Sequence, residues 1–187
     1  MSTEIASLFE AVAESVRPSV VRIDSGHGSG AGTAWGPGLV VTNRHVARGP
    51  TATVDGLAAR LLAADERRDL ALLSAPGVNA PALPRRAGAV RPGELVLAIG
   101  HPWGLQGSVA AGIVAGVVLE KGRPVLRADV RLAPGNSGGP LVDARGRLLG
   151  VNTMIAGGLG LAIPVAEVEA FVAEALAETR AAGAAAG

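Results

Sequence analysis

The sequence predicts an all-β protein made of two successive antiparallel units with a helix at each end. Three observations carry this. From residue 19 the chain is a series of short β-branched runs separated by glycines, the texture of strands joined by tight turns. The series is broken once, by the Pro/Ala/Gly-rich stretch "PGVNAPALPRRAGAVRPGE" at 76–94, which reads as a link between two units. Apolar residues recur at helical spacing only near the two ends.

The elements follow in order. Ile5, Leu8, Phe9, Val12 and Val16 fall on one helical face and Pro18 stops the pattern, which predicts a helix over 3–16. The runs "VVRID", "GLVVTN", "TATV", "ARLLAAD" and "LALLSA" form a first β unit within about 18–80. "LVLAIG", "GSVAAGIVAGVVLE", "PVLRADV", "RLLGVNTM" and "GLGLAIP" form a second within 90–164. Strands this short, with turn signals between them, suit an antiparallel sandwich or barrel. Val165, Val168, Val172, Ala175 and Leu176 mark a closing helix at 165–182, and the final "AAGAAAG" is expected to fray. The two units together are read as one domain over 1–187.

Composition excludes several function classes. With 49% hydrophobic residues, a chain of 187 has enough apolar material for a core. Seventeen basic against sixteen acidic residues, the basic ones scattered and with few aromatics between them, argue against a nucleic-acid surface. The absence of cysteine removes disulfides and thiolate metal sites, and three histidines without an HExxH spacing make zinc improbable; no metal or cofactor is expected. Residues 95–119 lack charge over a membrane's span, but Gly100, Pro102 and Gly104 break any helix there, leaving two runs suited to buried strands and no membrane partner. The amino terminus carries Glu4, Glu10 and Glu14 where an export signal needs a basic start and an unbroken apolar run. A cytoplasmic location is therefore expected, or an extracytoplasmic one if the sequence is trimmed.

The chemistry, if any, centres on "APGNSGGPL" at 133–141. Ser137 there is either a small residue in a tight turn or a nucleophile on a shaped loop. "GNSGG" fits the G-x-S-x-G elbow of α/β-hydrolases, but that fold needs its histidine after the serine, and His27, His45 and His101 all precede Ser137. Pro140 also sits where the following helix should begin. The order histidine, aspartate, serine remains. An alcohol needs a neutral imidazole to take its proton, and the imidazole needs a carboxylate to hold its tautomer. His27 lies in the flexible-looking "SGHGSGAG" and His101 in the turn "GHPWG", whereas His45 follows the apolar run "GLVVTN" and can stand at a strand end. Asp69, directly before "LALLSA", is the candidate acid, with Asp65, Asp55 and Asp24 as competitors; beside Arg67 and Arg68 it also reads as a solvated turn residue. The Gly135 and Ser137 amides are candidate donors to an oxyanion, because Gly135 can adopt the backbone that turns its N–H inward.

With those residues in place the chain resembles an HtrA-type trypsin-like serine protease over about 5–170. The matching segments run in register: "VRPSVVRI", "GSGAGTAWGPGLVVTNRHVA", "RRDLALL", "RPGELVLAIGHPWGLQGSVAAGIVAG", "RADVRLAPGNSGGPLVDARGRLLGVNT" and "GLGLAIP". The resemblance implies two six-stranded antiparallel β-barrels with the site in the cleft between them, and places the catalytic histidine, aspartate and serine on His45, Asp69 and Ser137. It implies that the segment around Val151, Asn152 and Thr153 pairs with an extended polypeptide substrate. It also implies that selectivity comes from Arg131, Leu132 and Ala162, with small or branched aliphatic side chains favoured. Arg131 is expected to face solvent, since burying an unpaired charge is costly. The expected activity is endopeptidase cleavage of extended or unfolded polypeptide. The rivals are a peptide-holding, chaperone-like module with the same cleft, and an esterase acting on small molecules. Only 23 residues follow "AIP", so no PDZ domain is expected, and the family's long sensor loop is reduced to the turn "LEKGRPV". As to assembly, the resemblance implies either a homotrimer through the amino-terminal segment, with Phe9 as contact, or a monomer.

Overall fold

The structure, a computed structural model, describes residues 3–26 and 28–185. Helix α1 (Thr3–Val16) and a 3-10 turn at Arg17–Ser19 lead into six strands: β1 (Val20–Asp24), β2 (Ser29–Gly36), β3 (Leu39–Thr42), β4 (Thr51–Val54), β5 (Leu57–Asp65) and β6 (Leu70–Ser74). They close into an antiparallel barrel in the order β1-β2-β3-β6-β5-β4. A second closed barrel, β10-β11-β12-β9-β8-β7, is formed by β7 (Leu95–Gly100), β8 (Ser108–Glu120), β9 (Arg123–Asp129), β10 (Pro140–Asp143), β11 (Leu148–Ala156) and β12 (Leu159–Pro164). Helix α2 (Val165–Ala185) ends the described chain. Among the described residues no helix is long and apolar enough to cross a membrane.

The strands that read as continuous apolar runs do so because each faces two cores. Side chains alternate across a strand. In β7, Val96 and Ala98 fill the interior of the second barrel, while Leu97 and Ile99 point the other way into a cluster shared by both barrels and both helices. In β6 the same division sends Ala71 and Leu73 into the first barrel and Leu70 and Leu72 into the shared cluster. Val12 and Val16 of α1 and Val168, Phe171 and Val172 of α2 complete that cluster. Phe9 packs against it and is half-buried, so its ring is largely engaged within its own chain.

The segment between the barrels is strapped down rather than loose. The Arg86 amide donates to the Leu148 carbonyl at 3.0 Å, and the Leu148 amide to the Pro84 carbonyl at 2.8 Å. The Arg85 guanidinium lies 4.0 Å from the centre of the Trp35 ring, a cation–π contact between this link and β2. Asp143, at the end of β10, accepts hydrogen bonds from the Arg145 amide (2.9 Å), the Arg147 amide (3.0 Å) and Arg147 Nε (2.8 Å). Burial pushes its carboxyl up, but these bonds outweigh it and hold the group below the ordinary aspartate range. The two barrels are thereby fixed against each other, which positions the cleft.

Candidate active site

His45 sits on a single helical turn just past the end of β3, where the Val46 and Ala47 amides both donate to the Asn43 carbonyl at 3.1 Å. Its Nδ1 lies 2.8 Å from Asp69 Oδ2, and its own amide donates to Asp69 Oδ1 at 3.0 Å. Asp69 occupies the turn before β6 with φ of 53°, a conformation that an ordinary residue holds only when its surroundings fix it. They do so here. The Asp69 carbonyl accepts from Asn43 Nδ2 (3.0 Å) and the Arg44 amide (3.2 Å), and the Thr153 hydroxyl donates to Oδ2 at 2.7 Å. Burial raises the Asp69 carboxyl, yet the bonds from His45 and Thr153 prevail and keep it below the usual range, so it is ionised at neutral pH. The His45 side chain is 40% exposed and that of Asp69 24% exposed, so the imidazole opens onto the cleft while the carboxylate lies behind it.

Ser137 lies on the loop entering β10. Its hydroxyl donates to the Thr153 carbonyl at 2.8 Å, so Thr153 touches both the serine through its backbone and Asp69 through its side chain. The loop is bolted to the first barrel: the Ala31 amide donates to the Ser137 carbonyl (2.8 Å) and the Thr33 hydroxyl to the Gly138 carbonyl (3.0 Å). A methyl group on Gly30 would stand 2.9 Å from Val46 and 3.0 Å from the Ser137 carbonyl, so β2 brings the chain next to His45 against the chain at Ser137. Gly135 has φ of 106°, and a side chain there would run into the backbone of His101 and Pro102. Its carbonyl accepts from the His101 amide at 3.0 Å. Among the described residues the Gly135 and Ser137 amides have no acceptor, which leaves both N–H groups available to a ligand.

A cavity of about 290 Å³ opens beside Ser137, lined by Leu132, Ala133 and Pro134 on one side and by Met154 and Ile155 on the other. Arg131 is exposed and lies outside that lining. Ala162 is also outside it: it is buried in the interior of the second barrel, opposite Asn152 and Leu126. The expected pairing segment is shifted by the strand register. Val151 is opposite Pro140 of β10, and Asn152 both donates to the Gly139 carbonyl and accepts from the Gly138 amide, each at 2.9 Å. Those two residues have no backbone to spare. The edge of β11 that lacks a strand partner among the described residues begins at Thr153 and runs to Ala156.

Of the other histidines, His27 lies outside the described residues. Part of the glycine-rich segment that follows it, expected to be flexible, is strand β2. His101 borders a separate cavity of about 770 Å³, whose lining includes neither His45, Asp69 nor Ser137. Its Nδ1 accepts from the Gly107 amide at 3.1 Å, and its Nε2 is buried with no partner. Burial holds the imidazole below the ordinary histidine range, partly offset by Asp55 and reinforced by Arg22. The unfolded chain therefore takes up this proton more readily than the folded one, so stability falls as pH drops below the unfolded value of about 6.5. Protonation would also set an Nδ1–H against the Gly107 N–H, next to the backbone that clamps Gly135. His101→Asn, whose side-chain carbonyl can accept the Gly107 bond without titrating, is expected to flatten the fall in melting temperature between pH 7.5 and 5.5. Parallel curves for variant and wild type would contradict this origin of the pH dependence.

Two residues that matter to the site escaped the sequence reading in whole or part. Asn43, two places before His45, holds the Asp69 backbone, and Thr153, expected only as a substrate contact, holds the carboxylate. The only sequence signal for either is adjacency to a candidate.

Residues 30–151 match the trypsin-like peptidase domain family. The chain is 37% identical to Protease Do-like 1, chloroplastic, from Arabidopsis thaliana, over 78% of this chain and 38% of that protein. It is 39% identical to a probable periplasmic serine endoprotease DegP-like from Ectopseudomonas mendocina, over 74% of this chain and 33% of that protein. It thus spans little more than a third of the curated relatives it matches. Among solved structures, an inactive form of Rv3671c from M. tuberculosis H37Rv superposes with a TM-score of 0.83 at 28% identity, covering 95% of this chain and 96% of that one. The chain belongs to the trypsin-like peptidase domain family, and within it is similar to the HtrA-type serine proteases.

Proposed function

We propose that this protein is a serine endopeptidase that cleaves extended or unfolded polypeptide through an acyl-enzyme on Ser137. The observation that supports this most is the unbroken line of contacts from His45 to Asp69 to Thr153 to Ser137, at 2.8, 2.7 and 2.8 Å, beside two amides with no acceptor among the described residues.

The Ser137 hydroxyl swings from the Thr153 carbonyl toward His45 Nε2 and attacks the scissile carbonyl carbon as the imidazole takes its proton. Asp69 keeps Nδ1 protonated and stabilises the imidazolium. Charge developing on the carbonyl oxygen is met by the Gly135 and Ser137 N–H groups, each contributing about 2.7–4 kcal/mol. The tetrahedral adduct collapses, the C–N bond breaks, and His45 returns the proton to the departing amine. Water then attacks the ester with His45 again as base, releasing the carboxylic acid and restoring the serine.

The substrate lies along the free edge of β11 from Thr153, as an added strand. Its side chain before the scissile bond enters the cavity lined by Leu132, Ala133, Met154 and Ile155, whose apolar walls favour an aliphatic group. An open edge suits a polypeptide better than a small ester.

A fluorophosphonate probe is expected to label the wild type and not Ser137→Ala, and digestion of a peptide library is expected to give cuts after aliphatic residues. Labelling that survives the substitution would defeat the nucleophile assignment. A labelled enzyme that cuts no peptide would favour the esterase reading.

A further inference from the structure

Beyond Thr153 and Met154, on the side away from the apolar cavity, the cleft widens into a second cavity of about 440 Å³. Those two residues line both spaces, so a peptide held on the β11 edge passes from one to the other. Resting on the proteolytic reading above, we propose that this second cavity is a subsite for an acidic side chain of the substrate, read by Arg67 and Lys121.

Every carboxylate that lines the cavity already has a partner. Asp69 is bound to His45, Glu66 is 2.8 Å from Arg44, and Glu120 is 2.7 Å from Arg127. Glu167 lies between Arg68 at 3.7 Å and Arg123 at 3.5 Å, which occupies those two arginines as well. Two cations of the lining remain. Among the described residues neither Arg67 nor Lys121 has a carboxylate partner, and both are exposed at the cavity's edge. They reach it from separate elements, Arg67 from the turn that ends in Asp69 and Lys121 from the tip of the β8–β9 hairpin, where it holds φ of 50°. A carboxylate entering the cavity meets two unpaired positive charges and no free negative one, whereas a lysine side chain finds every carboxylate of the lining already partnered. The apolar floor of Leu161 and Ile163 accepts the methylene stem of a glutamate.

The short hairpin is what makes this arrangement available: Glu120 and Arg123 are paired across the turn, so Lys121 projects from a fixed base. Lys121 is also the only lysine in the chain, so its charge can be addressed without touching another side chain.

The test uses peptides with one aliphatic residue before the scissile bond and glutamate, glutamine or lysine placed in turn two, three and four residues before it. At one or two of those places glutamate is expected to raise kcat/KM over glutamine by about fivefold at low salt, with the advantage shrinking toward unity in 0.5 M salt, because the charges are partly exposed. The double variant Arg67→Gln, Lys121→Gln is expected to lose the advantage while cutting the glutamine peptides within about twofold of the wild-type rate. Selective acetylation of Lys121 should remove part of it. A protein that takes the fluorophosphonate label but cuts glutamate peptides no faster than glutamine ones overturns the subsite and leaves the nucleophile standing, whereas one that takes the label and cuts neither defeats the proteolytic reading as well. A preference that survives the double variant overturns the subsite equally. Failure of both label and cleavage defeats the proteolytic reading itself.

Discussion

Replacing His45 with alanine is expected to lower casein hydrolysis by at least about 10³-fold while the protein stays folded. At neutral pH Ser137 is a poor nucleophile unless a base removes its proton during attack, and among the described residues no other imidazole stands at the cleft. His45 is 40% exposed and outside the packed interior, so its removal leaves the cores untouched. Asp69 keeps the bonds from the residue-45 amide and from Thr153, so the turn is retained. Asp69→Asn is expected to cost roughly 10⁴-fold by the same logic, since an amide would favour the wrong tautomer. Thr153→Val removes a single hydrogen bond to the carboxylate and should cost about tenfold or less. Because Asp69 is held below the ordinary aspartate range, the stability it lends is present above about pH 4 and is lost only as pH falls through its lowered folded value. Turnover by His45→Ala comparable with the wild type would exclude it as the base.

The second large effect is on folding. Gly138→Ala is expected to destabilise the protein by roughly 2–5 kcal/mol, a large part of the stability of an ordinary domain. Two costs add. Gly138 has φ of 86°, which an alanine adopts only with strain, and its new methyl group would collide with the Ala31 carbonyl and the Thr42 hydroxyl, themselves joined by a 2.7 Å hydrogen bond. The Ala31 carbonyl is backbone of β2, whose amide at the same residue binds the Ser137 carbonyl at 2.8 Å, so it cannot yield without disturbing the contact of β2 with the serine loop. The control is Gly88→Ala, where φ is 83° but nothing lies within 4 Å, so only the backbone strain applies. Urea titration of the two variants separates the terms, and equal midpoints would show that the collision is relieved at no cost.

The same packing leaves some elements legible in the sequence and conceals others. The runs around Val40, Leu72, Leu97 and Leu149 are legible because strands packed on both faces must be apolar throughout. Strand β2 is not legible by residue type, since "SGAGTAWG" reads as a loop. Its glycines are there because a methyl group on Gly32 would meet Val40, Ile23 and Val21, and one on Gly30 would meet Val46. Strand β10 is hidden differently: it has four residues, begins with Pro140 and follows Gly138 and Gly139, so it looks like the end of a turn. For the site, His45, Asp69 and Ser137 stand out because reactive side chains flank apolar runs. The open edge at Thr153 does not, because it depends on which backbone groups β10 has already taken, a matter of register that no residue type encodes.

The grip of β2 on the loop around Ser137 bears on how the chain is born. Ribosomes deliver the amino-terminal half first, with His45 and Asp69 but without Ser137. When the later half emerges, its serine cannot be aligned until the backbone around it has found Ala31 and Thr33. The shape of that loop is thereby a late product of folding, set only when the two barrels have met.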